Sequence, residues 1–525
     1  MITNKKWILP ALLTLGSARA QLDTALPYAD GPCEPTWESL AENYECPEWF
    51  RDAKFGIWAH WGVQCVPGTG DWCAKFLYKP TPPRNAWWEE RGKQCYDYHI
   101  EHYGHPSEIG LKDYIPHFTA SKWNPDHLLD LYQKAGARYF VAMANHHDNF
   151  DNWDSTYQPW NAVNMGPKQD LIAGWRKAAR KRGLKFGVSV HAARQWSWMT
   201  PAFGADREGP KKGIPYDGHM TKEDGKGKWW EGCDPCDLYG PPRTARTPPS
   251  QKYLDTFYLR TRELIDRYNP DLLYFDDKQA PLQNVGLKIA AHYYNRALER
   301  HGKVDVVLNT KLNDETTKPA LVDDVERGSK NDIDPNPWQI DTCIGYWHYR
   351  TDVTYKTPGK VIHMLLDAVS KNGSLLLNIP MKPDGTLEPQ EITFLKGMAA
   401  WMDIHGEGIY GTRPWEVYGE GVFIDAAGHN LETKMNAYTQ TDFRFTKKDQ
   451  TLYAFCLATP KTDLLIKSLA TGARSKPHTV KTVELLGSDE PLEWEQTGNG
   501  LKISKPEFIP TDYSLCFRLT FKDKI

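Results

Sequence analysis

Between residues 55 and 379 the chain repeats one pattern, a short apolar run followed by an amphipathic helical stretch. The runs fall at residues 55–62, 139–147, 185–191, 272–277, 304–310, 321–326, 342–347 and 374–379. Several are continuously apolar, such as Leu272-Leu273-Tyr274-Phe275, as strands buried on both faces must be. Helical stretches occupy 126–135, 170–182, 250–268, 285–300, 360–371 and 389–405. Asn124-Pro125 opens the first of these, and Gly183, Gly302 and Gly406 close others, which are usual capping residues. Strand and helix alternating through eight strands predict an α/β fold of the (β/α)8 barrel type.

After residue 415 the pattern changes. Runs at 421–424, 450–457, 479–486, 501–503 and 514–520 are short and separated by turn residues. They predict a C-terminal antiparallel β-sandwich. The expected division is a barrel domain over 21–414 and a sandwich over 415–525. Two insertions interrupt the barrel pattern. Residues 66–118 follow the first strand and are rich in aromatics. Residues 201–249 follow the third strand and are rich in Gly, Pro and Lys. Such a loop over the C-terminal face of a barrel is expected to be a lid or a wall of the substrate cleft.

Residues 1–20 read as a secretory signal. Lys5 and Lys6 precede an apolar stretch at 7–15, and Ala18-Arg19-Ala20 supplies a cleavage site. A mature chain from Gln21, secreted or periplasmic, is expected. Ten cysteines suit an oxidising compartment. Cys233-x-x-Cys236 lacks the second ligand pair a zinc site needs, so a local disulfide or two separate bridges is expected there.

Basic residues number 64 and acidic ones 67, for a net charge of −3. This balance argues against nucleic acid as partner, since that calls for a basic patch. A mean hydropathy of −0.62 argues against membrane spans, which need about 20 mostly apolar residues each. Aromatic residues make up 12% of the chain, with 21 Trp. They fill a large core or line a site built from flat rings.

Barrel active sites sit at strand C-termini. Here those ends read His60-Trp61-Gly62, Asn145-His146-His147-Asp148, His191, Asp276-Asp277, Asn309-Thr310-Lys311 and Glu326-Arg327. Metal hydrolysis is disfavoured, because no HxxxH or His-x-His pattern is present and adjacent histidines on a strand point to opposite faces. No GxSxG elbow follows a strand. A carboxylate pair remains, as in glycoside hydrolysis. Asp276, Asp277 and Glu326 are its candidates, with Trp61, Trp72, Trp196, Trp198 and Trp347 as ring faces for a sugar.

Several motifs carry a resemblance. They are residues 49–62, including Trp58-Ala59-His60-Trp61-Gly62, then His146-His147-Asp148-x-Phe150-x-x-Trp153-Asp154-Ser155, then Asn372-Gly373-Ser374 running into Asn378-Ile379. Tyr274-Phe275-Asp276, Trp338 with Gly345, Pro383-Asp384-Gly385 and Gly406-Glu407-Gly408-Ile409-Tyr410 add to it. From about residue 45 to 415 the chain resembles glycoside hydrolase family 29, the α-L-fucosidases. The resemblance implies a retaining hydrolase with no metal or cofactor and a fucosylated carbohydrate as substrate. It implies Asp276 as nucleophile, in preference to Asp277. It implies Glu326 as acid/base, with Glu407 and Asp71 as weaker contenders. His60, His146, His147, Trp72 and Trp347 are implied to hold the sugar.

Some positions depart from the family pattern. Asp71 stands for the family's Glu, Asn145 for Lys, Asn149 for Gly and Lys311 for Arg, while Ser189-Val190-His191 replaces a Tyr-Tyr-Ser run. Asp71 and Lys311 are still expected to bind substrate. Lys lacks the Arg fork, so these changes bear on sugar identity more than on reaction type. L-Galactose, which is L-fucose with a C6 hydroxyl, is the nearest alternative substrate. A non-catalytic carbohydrate-binding barrel is a more distant one.

Overall fold

In the computed structural model, residues 21–79, 85–422, 427–432, 437–472, 478–522 and 524–525 are described. The signal reading at 1–20 and part of the 421–424 run lie outside them. Eight parallel strands close a barrel in sequence order. They are β1 (Phe55–Ala59), β2 (Tyr139–Asn145), β3 (Lys185–Val190), β4 (Leu272–Lys278), β5 (Val307–Lys311), β6 (Val322–Glu326), β7 (Trp338–Cys343) and β8 (Gly373–Asn378). β1 pairs with both β2 and β8, which closes the ring. β1, β2, β5, β7 and β8 are buried along their whole length, which is why their sequences lack the alternation of a half-wet strand.

Six long helices cover the strands: Pro125–Lys134, Leu171–Lys181, Gln251–Tyr268, Asn284–His301, Pro358–Ser370 and Pro389–His405. Each lies within two residues of the sequence expectation at either end. Asn124, Asp170, Ser250 and Thr357 cap four of them with side-chain oxygens. No long helix follows β5 or β6. The β5–β6 link, residues 312–321, holds only a 3-10 turn at Lys318–Ala320. The short N-terminal helix Trp37–Asn43 packs on that turn instead.

β7 lies four residues upstream of the expected 342–347. The true strand carries Gln339 and Asp341, both fully buried, so its apolar signal is broken. Gln339 bonds Tyr139 and Asp324, and Asp341 bonds Tyr274, which offsets the burial of these polar groups.

The C-terminal strands are β9 (Arg413–Glu420), β10 (Phe443–Lys448), β11 (Thr451–Cys456), β12 (Leu464–Ile466), β13 (Val480–Leu485), β14 (Trp494–Thr497), β15 (Gly500–Ile503) and β16 (Leu515–Phe521). They form two antiparallel sheets, β13-β16-β11-β10-β9 and β12-β15-β14. Phe443, Phe445, Leu452 and Phe517 of the first share one core with Leu464, Ile466, Leu501 and Ile503 of the second. The sequence reading missed β9, β10, β12 and β14. β10, for example, ends in Lys447-Lys448 and carries Arg444. Arg444 is buried and donates to Asp367 of the barrel helix Pro358–Ser370 at 2.9 Å, so a charged strand residue ties the two parts together.

One disulfide forms, Cys73–Cys95. Cys233 and Cys236 are both free, which corrects the bridge expected there. Residues 201–249 do not wall the substrate cavity either. They form a second layer behind the 66–118 insertion. Their Asp217 accepts from Tyr78 at 2.7 Å, from Lys112 at 2.8 Å and from Tyr239 at 2.6 Å. This long, weakly patterned segment is ordered by buried polar clusters, which hydropathy does not reveal.

Candidate active site

A cavity of about 800 Å³ opens at the C-terminal end of the barrel. His60, His146, His147, His191, Asp276, Lys311, Glu326 and Arg327 line it, so the six strand ends picked out in the sequence do converge. Asp71, Trp72, Trp198 and Trp347 line it as well. Trp61 and Trp196 do not. Trp61 donates to the Lys382 carbonyl and packs on Phe118, and Trp196 donates to the Thr247 carbonyl beneath Arg243. Both are core rings, contrary to expectation.

The centre of the cavity is one lysine among carboxylates. Lys311 Nζ lies 2.9 Å from Asp276 Oδ1, 2.8 Å from Glu326 Oε2 and 3.3 Å from Asp341 Oδ2. The first two contacts, to a single atom, cap the separation of those carboxylate oxygens at about 5.7 Å, against roughly 5–5.5 Å for retaining and 6.5–9.5 Å for inverting pairs. Asp276 and Asp277 face opposite ways, as strand alternation requires. Asp276 turns to Lys311, while Asp277 does not line the cavity and pairs with Arg194 Nε, 3.5 Å away. Glu407 is remote from the cavity and is held by Tyr453 and Arg518.

Burial alone would raise the Asp276 carboxyl. The Lys311 ammonium, with His191, outweighs it and holds the group well below the usual carboxylate range. Burial opposes the charge on Lys311, but Asp276, Asp341 and Glu326 hold its ammonium firmly protonated. Beneath them, Tyr274 Oη lies 3.2 Å from Asp324 and 3.0 Å from Asp341, with one proton to give to either. Burial pushes Asp341 up to about 6 against the pull of Lys311.

Five histidines form the opposite wall. Adjacent His146 and His147 both face the cavity, with ring centroids 4.3 Å apart. The expected opposition fails because β2 ends at Asn145, so both follow the strand rather than belong to it. His147 Nδ1 lies 2.7 Å from the His191 carbonyl. A carbonyl only accepts, so Nδ1 carries the proton and Nε2 is left as an acceptor. That Nε2 sits 3.7 Å from Asp276. Burial drives His147 down to about 3 and His60 and His146 well below the imidazole range, so these rings are neutral at neutral pH.

His191 Nε2 lies 3.1 Å from Ser189 Oγ, which accepts from Trp58 Nε1 at 3.2 Å. His191 Nδ1 faces Asp276 Oδ2 across 3.4 Å. Buried ring nitrogens of His60 (Nδ1) and His348 (Nε2) have no hydrogen-bond partner in the protein. Buried polar atoms left open in a cavity await a polar ligand. One nitrogen each from His60, His146 and His348 falls within 4.8 Å of the others, so this trio could also hold a cation.

Asp71 accepts from the backbone N–H groups of Trp347 at 3.2 Å and His348 at 2.9 Å. It thereby fixes the loop that follows β7. Asn378, at the end of β8, accepts from the His60 N–H and donates to the Trp347 carbonyl. His348, Trp58, Arg194 and Asp341 were not singled out from sequence. His348 lies five residues past its strand, and Trp58 lies inside one, so the strand-end rule finds neither.

Residues 20–407 match the family model described as Alpha-L-fucosidase, and residues 436–522 that of the Alpha-L-fucosidase C-terminal domain. The chain is 27% identical to the tissue alpha-L-fucosidase of Rattus norvegicus over 97% of its own length and 96% of that protein. It is 28% identical to the plasma alpha-L-fucosidase of Homo sapiens over 90% of its length and 88% of that protein. Among solved structures, the Thermotoga maritima alpha-fucosidase in complex with a mechanism based inhibitor superposes with a TM-score of 0.67. It is 27% identical, covering 93% of this chain and 99% of that one. Barrel, carboxylate pair and sequence together make the chain a member of the α-L-fucosidase family of glycoside hydrolases.

Proposed function

We propose that the protein is a retaining exo-α-L-fucosidase that releases terminal α-L-fucosyl residues from glycans. The observation that carries this reading is the pair Asp276 and Glu326 drawn together on Lys311, at a spacing suited to double displacement. Family membership and the fucose-bound Thermotoga maritima structure, 28% identical with a TM-score of 0.65, support the sugar.

In the first step the Asp276 carboxylate attacks C1 as the C1–O bond breaks, and the leaving oxygen takes a proton from Glu326. In the second, Glu326 takes a proton from water, the hydroxide attacks C1, and the Asp276–sugar ester breaks. His60, His146, His147 and His348 pair the sugar hydroxyls, and Trp347 and Trp58 face its apolar side. Lys311 balances the charge that moves between Asp276 and Glu326. The reading includes removal of residues 1–20 and secretion, with residues 21–414 as the catalytic part and 415–525 as the sheet domain.

The test is a paired assay on aryl α-L-fucoside and aryl α-L-galactoside. Higher kcat/KM on the fucoside is expected. Preference for the galactoside gives the site to L-galactose, for which His348 offers a polar partner. Sugar binding without cleavage of either substrate makes the barrel a binding protein.

A further inference from the structure

The outer half of the cavity is built by residues that the reaction does not use. Trp87 lines the cavity, yet 55% of its surface is exposed. It opens the helix Ala86–His102 within the 66–118 insertion. From the sugar pocket outward, Trp72, Trp88 and Trp87 follow one another. Trp72 and Trp88 meet at 5.0 Å and Trp88 and Trp87 at 5.5 Å, both edge to face. Phe76 closes on Trp88 at 5.0 Å.

This aromatic row is held rigid. The Cys73–Cys95 disulfide ties the residue after Trp72 to the same helix. Asn85 caps the helix by accepting from the Trp88 N–H at 3.1 Å. Arg91, one turn on, donates to the carbonyls of Thr69 at 2.6 Å and Asp71 at 3.0 Å. The helix is thus fastened to the loop that carries Asp71 and Trp72. Trp87 thus presents a large, braced indole face at the open end of the cavity.

The cavity itself indicates the occupant. Trp87 shares it with Asp276 and Glu326, so a group linked to the sugar those carboxylates attack extends along the cavity toward the ring. The facing rim is Tyr346, Arg350, Asp352 and Thr354. Arg350 is neutralised by Asp352 at 2.5 and 2.9 Å, and Arg91 is engaged by carbonyls. A flat apolar face with polar, charge-balanced edges matches a neutral pyranose ring, which presents C–H groups on its face and hydroxyls at its rim.

We infer that Trp87 is an aglycone platform, stacking the neutral sugar on the far side of the scissile bond. This rests on the fucosidase reading above. The protein therefore prefers fucosylated oligosaccharides to fucosides of small alcohols, and Trp87 sets that preference.

The test compares methyl α-L-fucoside, which has no ring beyond the scissile bond, with the better cleaved of 2′-fucosyllactose and 3-fucosyllactose. In Trp87→Ala the ratio of kcat/KM, oligosaccharide over methyl fucoside, is expected to fall at least about tenfold, mainly through KM, as loss of one ring stack should. Trp87→Phe is expected to restore part of the ratio. A ratio within about twofold of wild type in both variants, whatever the absolute rates, overturns the platform and leaves the fucosidase reading intact. A wild-type enzyme inert on every fucoside overturns both.

Discussion

Lys311 Nζ stands 2.9 Å from Asp276 Oδ1, and the same ammonium reaches Glu326. Removing it leaves two carboxylates facing each other with no cation between them. Lys311→Met is expected to lower kcat on an aryl α-L-fucoside by roughly 10²–10³-fold, the range for deleting one electrostatic stabiliser. Steady-state kinetics alongside a melting curve check this. A melting point that collapses while surviving enzyme keeps its kcat would reassign Lys311 to structure.

In the proposed mechanism Glu326 is the general acid and Asp276 the nucleophile. Loss of a general acid matters most when the leaving group is poor. Glu326→Ala is expected to cleave an activated dinitrophenyl fucoside far better than a methyl fucoside, relative to wild type. Azide should accelerate the variant and yield the fucosyl azide with retained configuration, read by NMR. Equal losses on both substrates, without azide rescue, would move the acid/base role elsewhere.

His348 Nε2 is buried and unpartnered in the cavity. Filling it with a sugar hydroxyl contributes about 1–3 kcal/mol. His348→Phe should keep the ring volume and lose that bond. A rise in KM and in the inhibition constant of free L-fucose by roughly tenfold or more is expected, with kcat less affected. An unchanged fucose inhibition constant would show that the nitrogen meets no hydroxyl.

The barrel was legible because strands buried on both faces leave continuous apolar runs, as at Leu272-Leu273-Tyr274-Phe275. β7 was displaced because Gln339 and Asp341 point into a polar barrel centre. The carboxylates and His60, His146 and His147 followed from strand ends. Trp61 was misplaced because an indole beyond a strand end can turn either way, and it turns toward Phe118. His348 was hidden because its position depends on Asp71, 277 residues away in sequence, holding its backbone N–H.

Glu391 gives a pH signature outside the site. It is fully buried in the first turn of helix Pro389–His405, where it accepts from the Glu388 N–H at 2.7 Å, and burial pushes it up to about 8. A folded-state value above the unfolded one means that its contribution is full below about pH 4.3 and lost as pH rises through 8. Glu391→Gln cannot ionise. The melting point of wild type, relative to this variant, is expected to fall between pH 4.5 and 8 by several degrees, at about 2–4 °C per kcal/mol. A constant difference across that window contradicts the assignment.

The buried pair Arg444–Asp367 joins the C-terminal sheet to the barrel. Arg444→Ala leaves Asp367 with Lys371 alone as its cation. A loss of about 1.5–3 kcal/mol is expected, as for removing one charged hydrogen-bond partner from a carboxylate that keeps another. Denaturant unfolding checks it, and a loss under about 1 kcal/mol would mean the pair behaves as a surface one.

Asp276 is expected to bond to the anomeric carbon of L-fucose during turnover. Incubating the enzyme with 2-deoxy-2-fluoro-L-fucosyl fluoride and mapping its peptides by mass spectrometry tests this directly. One fluorofucosyl group per chain is expected, on Asp276, with loss of activity in step with labelling. A label on Asp277, Glu326 or another residue, or full turnover with no covalent adduct, would contradict it.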